Sequence, residues 1–213
     1  MTDECGNTAT CDQHVIIIFP ACPDAIDYEG NVYHGIRIDC DCWTQRNLES
    51  NKYSDGSDIP GVYNYVSDMY PNETDNVDKF GRLYDWTSAI KDGADNGYGH
   101  VQGICPAGWY LPTAEKYVAL NAHGADALKS PLYWLDGGGS NTTGFTALPA
   151  GYYDGSIDRF VNLMGETYFW STTKVGSEWE ASASSMGIHC DDIHTSNVRT
   201  GLGYSVRCIK EKE

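Results

Sequence analysis

The sequence predicts a strand-rich domain with few and short helices, on three observations. The 213 residues include 23 Gly and 15 Tyr, which are typical of turns and of half-buried strands. Several short segments alternate apolar and polar residues, the pattern of a strand with one buried face. Only one segment combines a helix N-cap with helically spaced apolar residues. With 41% hydrophobic residues, the chain can fill a sizeable core.

The predicted elements of the first half are separated by turns. Residues 14–19 are a strand candidate that the following prolines end. A turn at residues 28–31 precedes a second strand at residues 32–38. Residues 49–79 have the composition of loops. The aromatic residues 80–86 favour either a strand or a short helix.

The clearest helix signal begins at Thr113, a favourable N-cap, with Glu115 in the first turn to complement the helix dipole. Its apolar face consists of Tyr117, Val118 and Leu120. Gly124 is its expected end. After the polar loop at 136–143, residues 145–163 contain an Asp-Gly turn, which predicts a hairpin or meander.

Forty residues near the end of the sequence differ in composition from the rest of the chain. They begin at Trp170 and end at Ile209, and both ends are predicted strands. Near the second end, Tyr204, Val206 and Cys208 alternate with Ser205 and Arg207, which indicates a half-buried strand. The middle, residues 182–200, is mostly small and polar. Such a stretch is expected to cover a core as a surface, a good platform for a binding face.

Net charge excludes two classes of partner. The formal charge is −16, whereas nucleic acids and anionic membranes are bound by clusters of Lys and Arg. We therefore predict no nucleic-acid partner, and we attribute the acidity to solubility. No apolar stretch approaches the roughly 18 residues of a transmembrane helix, and the N-terminal residues do not have the pattern of a signal peptide.

The eight cysteines favour an oxidised, extracellular setting with disulfide bonds. Zinc is the competing interpretation, but Cys40 and Cys42 are too close in sequence for the usual ligand pair. The pairing stays open at this level.

Two acidic segments are candidates for metal sites. Residues 55–58 lack the glutamate that closes a helix-loop-helix calcium loop, so an Asx turn is expected. The four donors His189, Asp191, Asp192 and His194 lie at a turn between strands, where side chains rarely converge, and we expect them to be exposed to solvent. No metal and no cofactor is predicted.

Eight short motifs occur in an order that resembles the Fibrobacter succinogenes major paralogous domain, over about residues 27–210. The motifs are Asp27-Tyr28-Glu29-Gly30-Asn31-Val32-Tyr33, Trp43 with Asn47-Leu48, Lys52-Tyr53-Ser54-Asp55-Gly56, Gly81-Arg82-Leu83-Tyr84-Asp85-Trp86, Cys105-Pro106-Ala107-Gly108-Trp109 with Leu111-Pro112-Thr113, Gly144-Phe145-Thr146-Ala147-Leu148-Pro149, Trp170-Ser171-Thr172-Thr173 and Tyr204-Ser205-Val206-Arg207-Cys208.

The resemblance implies an α+β domain with a C-type-lectin-like fold of the formylglycine-generating-enzyme type. That fold has a twisted antiparallel sheet and few short helices. The resemblance also implies a disulfide between Cys105 and Cys208. Residues 1–26 are then an N-terminal extension and residues 27–213 the domain, with a ligand-binding C-terminal region at 170–209 that is variable under the retroelement hypothesis described next.

Proteins with this fold and a C-terminal stretch of small and polar residues are also similar to the variable proteins of diversity-generating retroelements. Those elements rewrite adenines in codons near the end of a gene. In this interpretation Ala181 and Ala183 point inward and Ser182 and Ser184 outward. The predicted binding face is Ser182, Ser184, Met186, His189, Asp191, His194, Ser196 and Asn197, with Trp179 and Arg199 at its margin. The competing interpretation is an ordinary solvated sheet face.

The predicted function is non-catalytic recognition of a protein or glycan ligand on another cell or virion. The protein is then an extracellular, cell-surface or virion component, such as a phage or viral receptor-binding protein or an adhesin. Two alternatives remain. A formylglycine-generating-type oxidase needs a pair of reactive cysteines, for which Cys190 and Cys208 are the candidates in this region. The other alternative is a structural envelope module.

Overall fold

The computed structural model describes residues 20–66, 72–91, 93 and 100–210. Its strands are β1 (Ala25–Ile26), β2 (Val32–Tyr33), β3 (Gly35–Ile38), β4 (Asp41–Thr44), β5 (Val62–Tyr63), β6 (Leu83–Tyr84), β7 (Tyr152–Asp154), β8 (Arg159–Val161), β9 (Glu166–Lys174), β10 (Glu180–Gly187), β11 (His194–Arg199), β12 (Leu202–Gly203) and β13 (Ile209–Lys210). Its helices are α1 (Glu73–Phe80), α2 (Trp86–Ile90), α3 (Ala114–Ala119), a 3₁₀ helix η1 (Leu120–His123) and α4 (Gly124–Leu128).

The named strands pair only in antiparallel fashion. They form the sheets β1–β2, β11–β10–β9, β12–β7–β8, β13–β4–β3 and β5–β6. Small antiparallel sheets with few short helices confirm the α+β class. No helix of the described residues has the length and apolar character needed to cross a bilayer.

Several predicted elements are confirmed. The loop prediction for residues 49–79 and the strand prediction for residues 204–208 are wrong. The strand at 32–38 is present as β2 and β3, and the 145–163 hairpin is present as β7 and β8. Both alternatives for residues 80–86, a strand and a short helix, occur there: β6 lies within the segment, and α2 starts at its last residue. The strand candidate at 14–19, with Cys5 and Cys11, lies outside the described residues.

Helix α1 is, beside the two-residue strand β5, an element that the loop prediction for residues 49–79 missed. Only Val77 and Phe80 are buried apolar side chains in it, so no apolar stripe marks it in the sequence. Its start is set by Asn72, whose side chain accepts the N–H of Asp75. Asn76 then anchors it by donating to the carbonyl oxygen of Tyr65, at 2.8 Å.

The predicted helix begins where expected. Thr113 is the N-cap of α3 and accepts the N–H of Lys116. Gly124, with φ of 73°, ends η1 and turns the chain into α4. Tyr117 and Leu120 are buried as predicted, but Val118 is 48% exposed, because the helix covers the sheet with one face only.

Strands β9 and β10 lie between two apolar clusters. One face of this pair packs into a cluster that includes Trp170, Ala181 and Ala183. The opposite face packs into a second cluster that includes Phe169 and Met186, together with residues of α3 and η1. The centre of this sheet is therefore buried on both sides.

Arg207 is the largest charged group in the interior and is fully buried. Its guanidinium donates to the side chain of Asn47 at 2.6 Å and to the carbonyl oxygens of Thr44 at 2.7 Å, Phe145 at 2.8 Å and Thr146 at 2.9 Å. Burial lowers the pKa of Arg207 to about 9, so the group stays protonated at neutral pH.

The half-buried strand predicted for residues 204–208 is wrong: Tyr204 and Ser205 form only isolated bridges, residues 206–208 belong to no strand, and the polar members are buried. Ser205 and Arg207 are both 0% exposed. The pattern misled because these two side chains are buried with hydrogen-bond partners. Ser205 accepts the side-chain N–H of Asn47 at 3.2 Å, and Arg207 reaches the acceptors described above.

The Cys105–Cys208 disulfide that the resemblance implies is present. Both cysteines are 0% exposed, and the bond joins residues 103 apart in the chain. A second disulfide, Cys22–Cys42, joins residues 20 apart, and Cys40 is disulfide-bonded as well.

We expect Arg207→Met to lower the free energy of unfolding by more than about 3 kcal/mol, because it leaves four buried acceptors without a donor. Arg207→Lys should be intermediate, since an ammonium supplies three donors. The measurement is urea unfolding at pH 7, with the exposed Arg199→Met as the control, expected within about 0.5 kcal/mol of wild type. A loss below about 1 kcal/mol for Arg207→Met would contradict a central role for the guanidinium.

Replacing Cys105 and Cys208 together by serine should cost more stability than replacing Cys22 and Cys42 together. Loop-closure entropy amounts to about 4.7 kcal/mol for a loop near 100 residues and about 3 kcal/mol for one near 20. Guanidinium unfolding of the two double variants measures the difference. Equal losses would show that chain entropy does not set the contribution of these bonds.

Candidate functional site

Strand β11 is the exposed edge of the sheet β11–β10–β9. Every residue of β11 is exposed except Val198, which is half-buried. In β10, by contrast, six of the eight residues are buried. The C-terminal region therefore presents one polar strand at the edge of a sheet whose centre is buried.

Seven of the ten residues predicted for the binding face are exposed: Trp179, His189, Asp191, His194, Ser196, Asn197 and Arg199. Trp179 lies in the turn between β9 and β10. His189 and Asp191 lie in the loop at 188–193 between β10 and β11. The remaining four lie on β11 itself.

The prediction that Ser182, Ser184 and Met186 lie on the surface is wrong, since they are 3%, 0% and 1% exposed. They point away from Ala181 and Ala183, as predicted. That side of β10 is nevertheless covered as well, because α3 and the second apolar cluster lie against it. The sequence pattern gives the parity of a strand but not the number of layers packed on it.

The hydroxyl of Ser184 meets that of Thr195 on β11 at 3.1 Å. This side-chain hydrogen bond joins the buried strand to the exposed one. Together with the six-residue backbone register between β10 and β11, it fixes the position of the edge strand.

The loop at 188–193 is held by its main chain. The side-chain amide of Asn121 donates to the carbonyl oxygen of Ile193 at 3.1 Å and accepts its N–H at 2.6 Å. The N–H of Ala125 donates to the carbonyl oxygen of Asp191 at 2.8 Å. The exposed side chains of this loop therefore stand on a fixed backbone.

Lys129 holds the beginning of the same loop and is only 5% exposed. Its ammonium donates to the carbonyl oxygens of Gly187 at 2.6 Å and Cys190 at 3.2 Å. The ring of Trp134 lies 5.0 Å from the same nitrogen. Buried charge is costly unless it is compensated, and here carbonyl dipoles and an aromatic face compensate it.

A cleft of about 370 Å³ lies beside the end of β11. Its lining residues come from the β7–β8, β9–β10 and β11–β12 turns and from the strand ends beside them: Asp154, Ser156, Trp179, Arg199, Thr200, Gly201 and Leu202. Two of these, Trp179 and Arg199, belong to the predicted margin of the binding face. The cleft therefore continues the exposed strand.

Asp154 is the fixed polar group of the cleft. Its Oδ1 accepts the N–H of Ser156 at 2.9 Å and the hydroxyl of Ser156 at 2.6 Å. These bonds, and to a smaller degree Arg199, hold the pKa of Asp154 below its usual value. The carboxylate is therefore ionised at neutral pH.

Arg199 is paired with Asp154 but remains open to solvent. Its Nη2 lies 3.5 Å from Oδ2 of Asp154, and the Arg199 side chain is 63% exposed. Most of its five N–H donors are therefore available to a ligand.

Trp179 forms the apolar wall of the cleft and is 74% exposed. Its backbone is fixed, since its carbonyl oxygen accepts the N–H of Thr200 at 3.0 Å. The other five tryptophans of the chain, Trp43, Trp86, Trp109, Trp134 and Trp170, are at most 6% exposed. A single exposed indole at a concave surface is a feature of binding sites rather than of a solvated surface.

Metal ligation has no built site in the described part of the chain, where no group of three or more His, Cys, Asp or Glu side chains can hold an ion. Residues 55–58 form the expected Asx turn, in which Asp55 accepts the N–H of Ser57 at 2.9 Å. Asp55 also pairs with Lys91 at 2.5 Å, and Asp58 pairs with Lys52.

The two C-terminal cysteines have different states. Cys208 is bonded to Cys105 and buried. Cys190 is a free thiol of intermediate exposure in the loop at 188–193. They do not form a pair of thiols.

Sequence reasoning missed the side chains that complete the site. Asp154 is predicted only as part of an Asp-Gly turn, Ser156 is not among the predicted site residues, and 45 residues separate Asp154 from Arg199. Asn121 and Lys129 were not singled out, although each contacts a loop about 60 to 70 residues later. No local pattern marks such long-range contacts.

Comparison with known proteins gives one family. No curated protein and no solved structure matches the chain. The model of the Fibrobacter succinogenes major domain matches residues 36–210, which include the exposed strand, the cleft and both C-terminal cysteines. The match covers most of the chain. The protein therefore belongs to the Fibrobacter succinogenes major domain family.

Proposed function

We propose that this domain recognises a ligand without catalysing a reaction. The contact area, which we call the recognition surface, consists of the exposed side chains of the loop at 188–193, strand β11 and the neighbouring cleft with Trp179 and Arg199. The ligand is a protein or glycan on another cell or virion.

The observation that carries the proposal is the contrast between β11 and its neighbour in the sheet, β10. The edge strand exposes almost every residue, whereas β10 is buried on both faces. The loop backbone before β11 is held by Asn121, Ala125 and Lys129. The backbone of this surface is therefore ordered before a ligand binds. Binding then costs less conformational entropy, which favours affinity.

For the fold of the domain we propose the C-type-lectin-like type. The small antiparallel sheets, the short helices and the disulfide that joins Cys105 to the C-terminal Cys208 support it. In such a scaffold the exposed side chains of the C-terminal strands can change without a change of the core.

For the biological setting we propose an extracellular protein of a cell surface or virion, such as a receptor-binding component or an adhesin, diversified by a retroelement. The disulfide bonds support the oxidising location. The exposed polar residues at the end of the chain support diversification, because changes there leave the apolar clusters untouched.

The oxidase alternative receives less support from the geometry. It requires two thiols near the C-terminus, and Cys208 is committed to a buried disulfide. The structural envelope module remains as the alternative to a recognition role, and the two differ in whether the recognition surface varies and binds.

Sequencing the gene across its source population tests diversification. We expect substitutions at adenines of the exposed codons, which are His189, Asp191, His194, Ser196, Asn197 and Arg199. The buried codons Ser182, Ser184 and Met186 should be constant, because changes there disturb the core.

The codons of β9 are the matched control, since they lie in the same sheet and are mostly buried. Uniform sequence at the exposed codons, or equal variation in β9, would refute diversification and leave a surface of fixed specificity.

Lys129→Met should loosen the loop at 188–193, because the carbonyl oxygens of Gly187 and Cys190 lose their donor. We expect hydrogen exchange of the backbone amides at 187–193 to accelerate by about tenfold or more, as for a lost hydrogen-bonded contact of about 1.4 kcal/mol. Mass spectrometry of the corresponding peptide measures it. Lys79→Met, at an exposed position of α1, is the control, and an unchanged rate in Lys129→Met would show that the lysine does not hold the loop.

A further inference from the structure

The cleft beside β11 combines two kinds of surface. Trp179 offers a large exposed aromatic face, and Asp154 with Arg199 adds a polar pair to the lining of the same cavity. Its volume of about 370 Å³ lies in the range of small-molecule sites, roughly 300–1,000 Å³. The binding face drawn from the sequence did not include Asp154 or the cavity.

The charges of the cleft select a neutral ligand. Asp154 is ionised and Arg199 is positive, so the two formal charges cancel within the cavity. An anionic ligand would gain from Arg199 but would be repelled by Asp154 and by the overall charge of −16. A cation would meet the opposite conflict with Arg199.

The polar pair requires a ligand with donors and acceptors on neighbouring atoms. The carboxylate of Asp154 only accepts hydrogen bonds, and the guanidinium of Arg199 only donates them. Two adjacent hydroxyl groups satisfy both, since each can donate to the carboxylate or accept from the guanidinium. Oδ1 of Asp154 is occupied by Ser156, so Oδ2 is the oxygen available to such a ligand.

The apolar wall narrows the ligand class further. A pyranose ring has C–H groups on one face and hydroxyl groups around its edge. The face matches the indole of Trp179, and the edge matches the pair of charged groups. No peptide side chain carries several vicinal hydroxyl groups around the edge of an apolar ring face.

We propose that this cleft binds a neutral hexose unit of a glycan, with the sugar ring stacked on Trp179 and adjacent hydroxyls bound by Asp154 and Arg199. The proposal rests on the recognition function proposed above and names its ligand class. Strand β11 then contacts the remainder of the glycan or its carrier.

The test uses methyl β-D-glucopyranoside, methyl β-D-galactopyranoside and methyl α-D-mannopyranoside as probes, with methyl β-D-glucuronide as the charged comparison. Because Trp179 is the exposed indole and the other five are buried, acrylamide quenching of tryptophan fluorescence reports on this site. We expect at least one neutral sugar to protect the fluorescence, and saturation-transfer NMR to show that its ring C–H protons contact the protein.

Two variants locate the binding in the cleft. Trp179→Ala removes the wall, and Gly201→Leu adds a side chain at a cleft position where a Cβ meets no atom within 4 Å. Each should weaken the NMR-detected affinity by about tenfold or more, the size of a hot-spot contact. The matched controls are Leu135→Ala, an exposed apolar side chain elsewhere, and Gly176→Leu, another glycine with open space around it. Both should bind as wild type does.

Binding of none of the three neutral sugars would overturn the proposal, as would equal or tighter binding of the glucuronide. Binding that survives in both Trp179→Ala and Gly201→Leu would place the sugar elsewhere and overturn it too. If no sugar binds while the exposed codons of β11 still vary in the source population, the hexose proposal fails and the recognition function stands.

Discussion

The guanidinium of Arg207 lies where separate segments of the chain meet. It joins β4 through Thr44, the segment after β4 through Asn47, and the loop at 145–146 through two carbonyl oxygens. The rings of Phe145 and Phe169 lie 4.6 Å and 5.7 Å from its central carbon. One planar group thereby fixes the ends of the domain against the sheet that carries the recognition surface, and its next neighbour in the chain, Cys208, is bonded to Cys105.

The family motifs are connected by the same kind of contact. The indole of Trp170 donates to the carbonyl oxygen of Tyr84 at 2.6 Å, and the indole of Trp86 donates to that of Ser171 at 2.9 Å. Each of these two motifs thus supplies an indole N–H to a backbone carbonyl of the other. A buried carbonyl that loses such a donor is costly, so the two motifs stabilise each other.

Local chemistry made part of this structure predictable. The N-cap at Thr113 can be predicted from residues within one helical turn. The inward direction of Ala181 and Ala183 can be predicted from strand geometry alone. Helix α1 was missed because its two core-facing side chains give no stripe. The prediction that Ser184 lies on the surface fails because a strand pattern carries no information about α3, which packs against β10 from about 65 residues upstream. The pairing of Asp154 with Arg199 joins the ends of β7 and β11 and is likewise a property of the tertiary fold.

The loop at 188–193 is held through main-chain atoms: the carbonyl oxygens of Gly187, Cys190 and Asp191, and both backbone groups of Ile193. Its exposed side chains take no part in these contacts. The backbone conformation of the loop is therefore set by Asn121, Ala125 and Lys129. The chemistry of its surface is set separately, by the residues at the outward positions. Such a separation gives the loop high mutational robustness, and it makes the domain a suitable scaffold for combinatorial libraries of engineered binders.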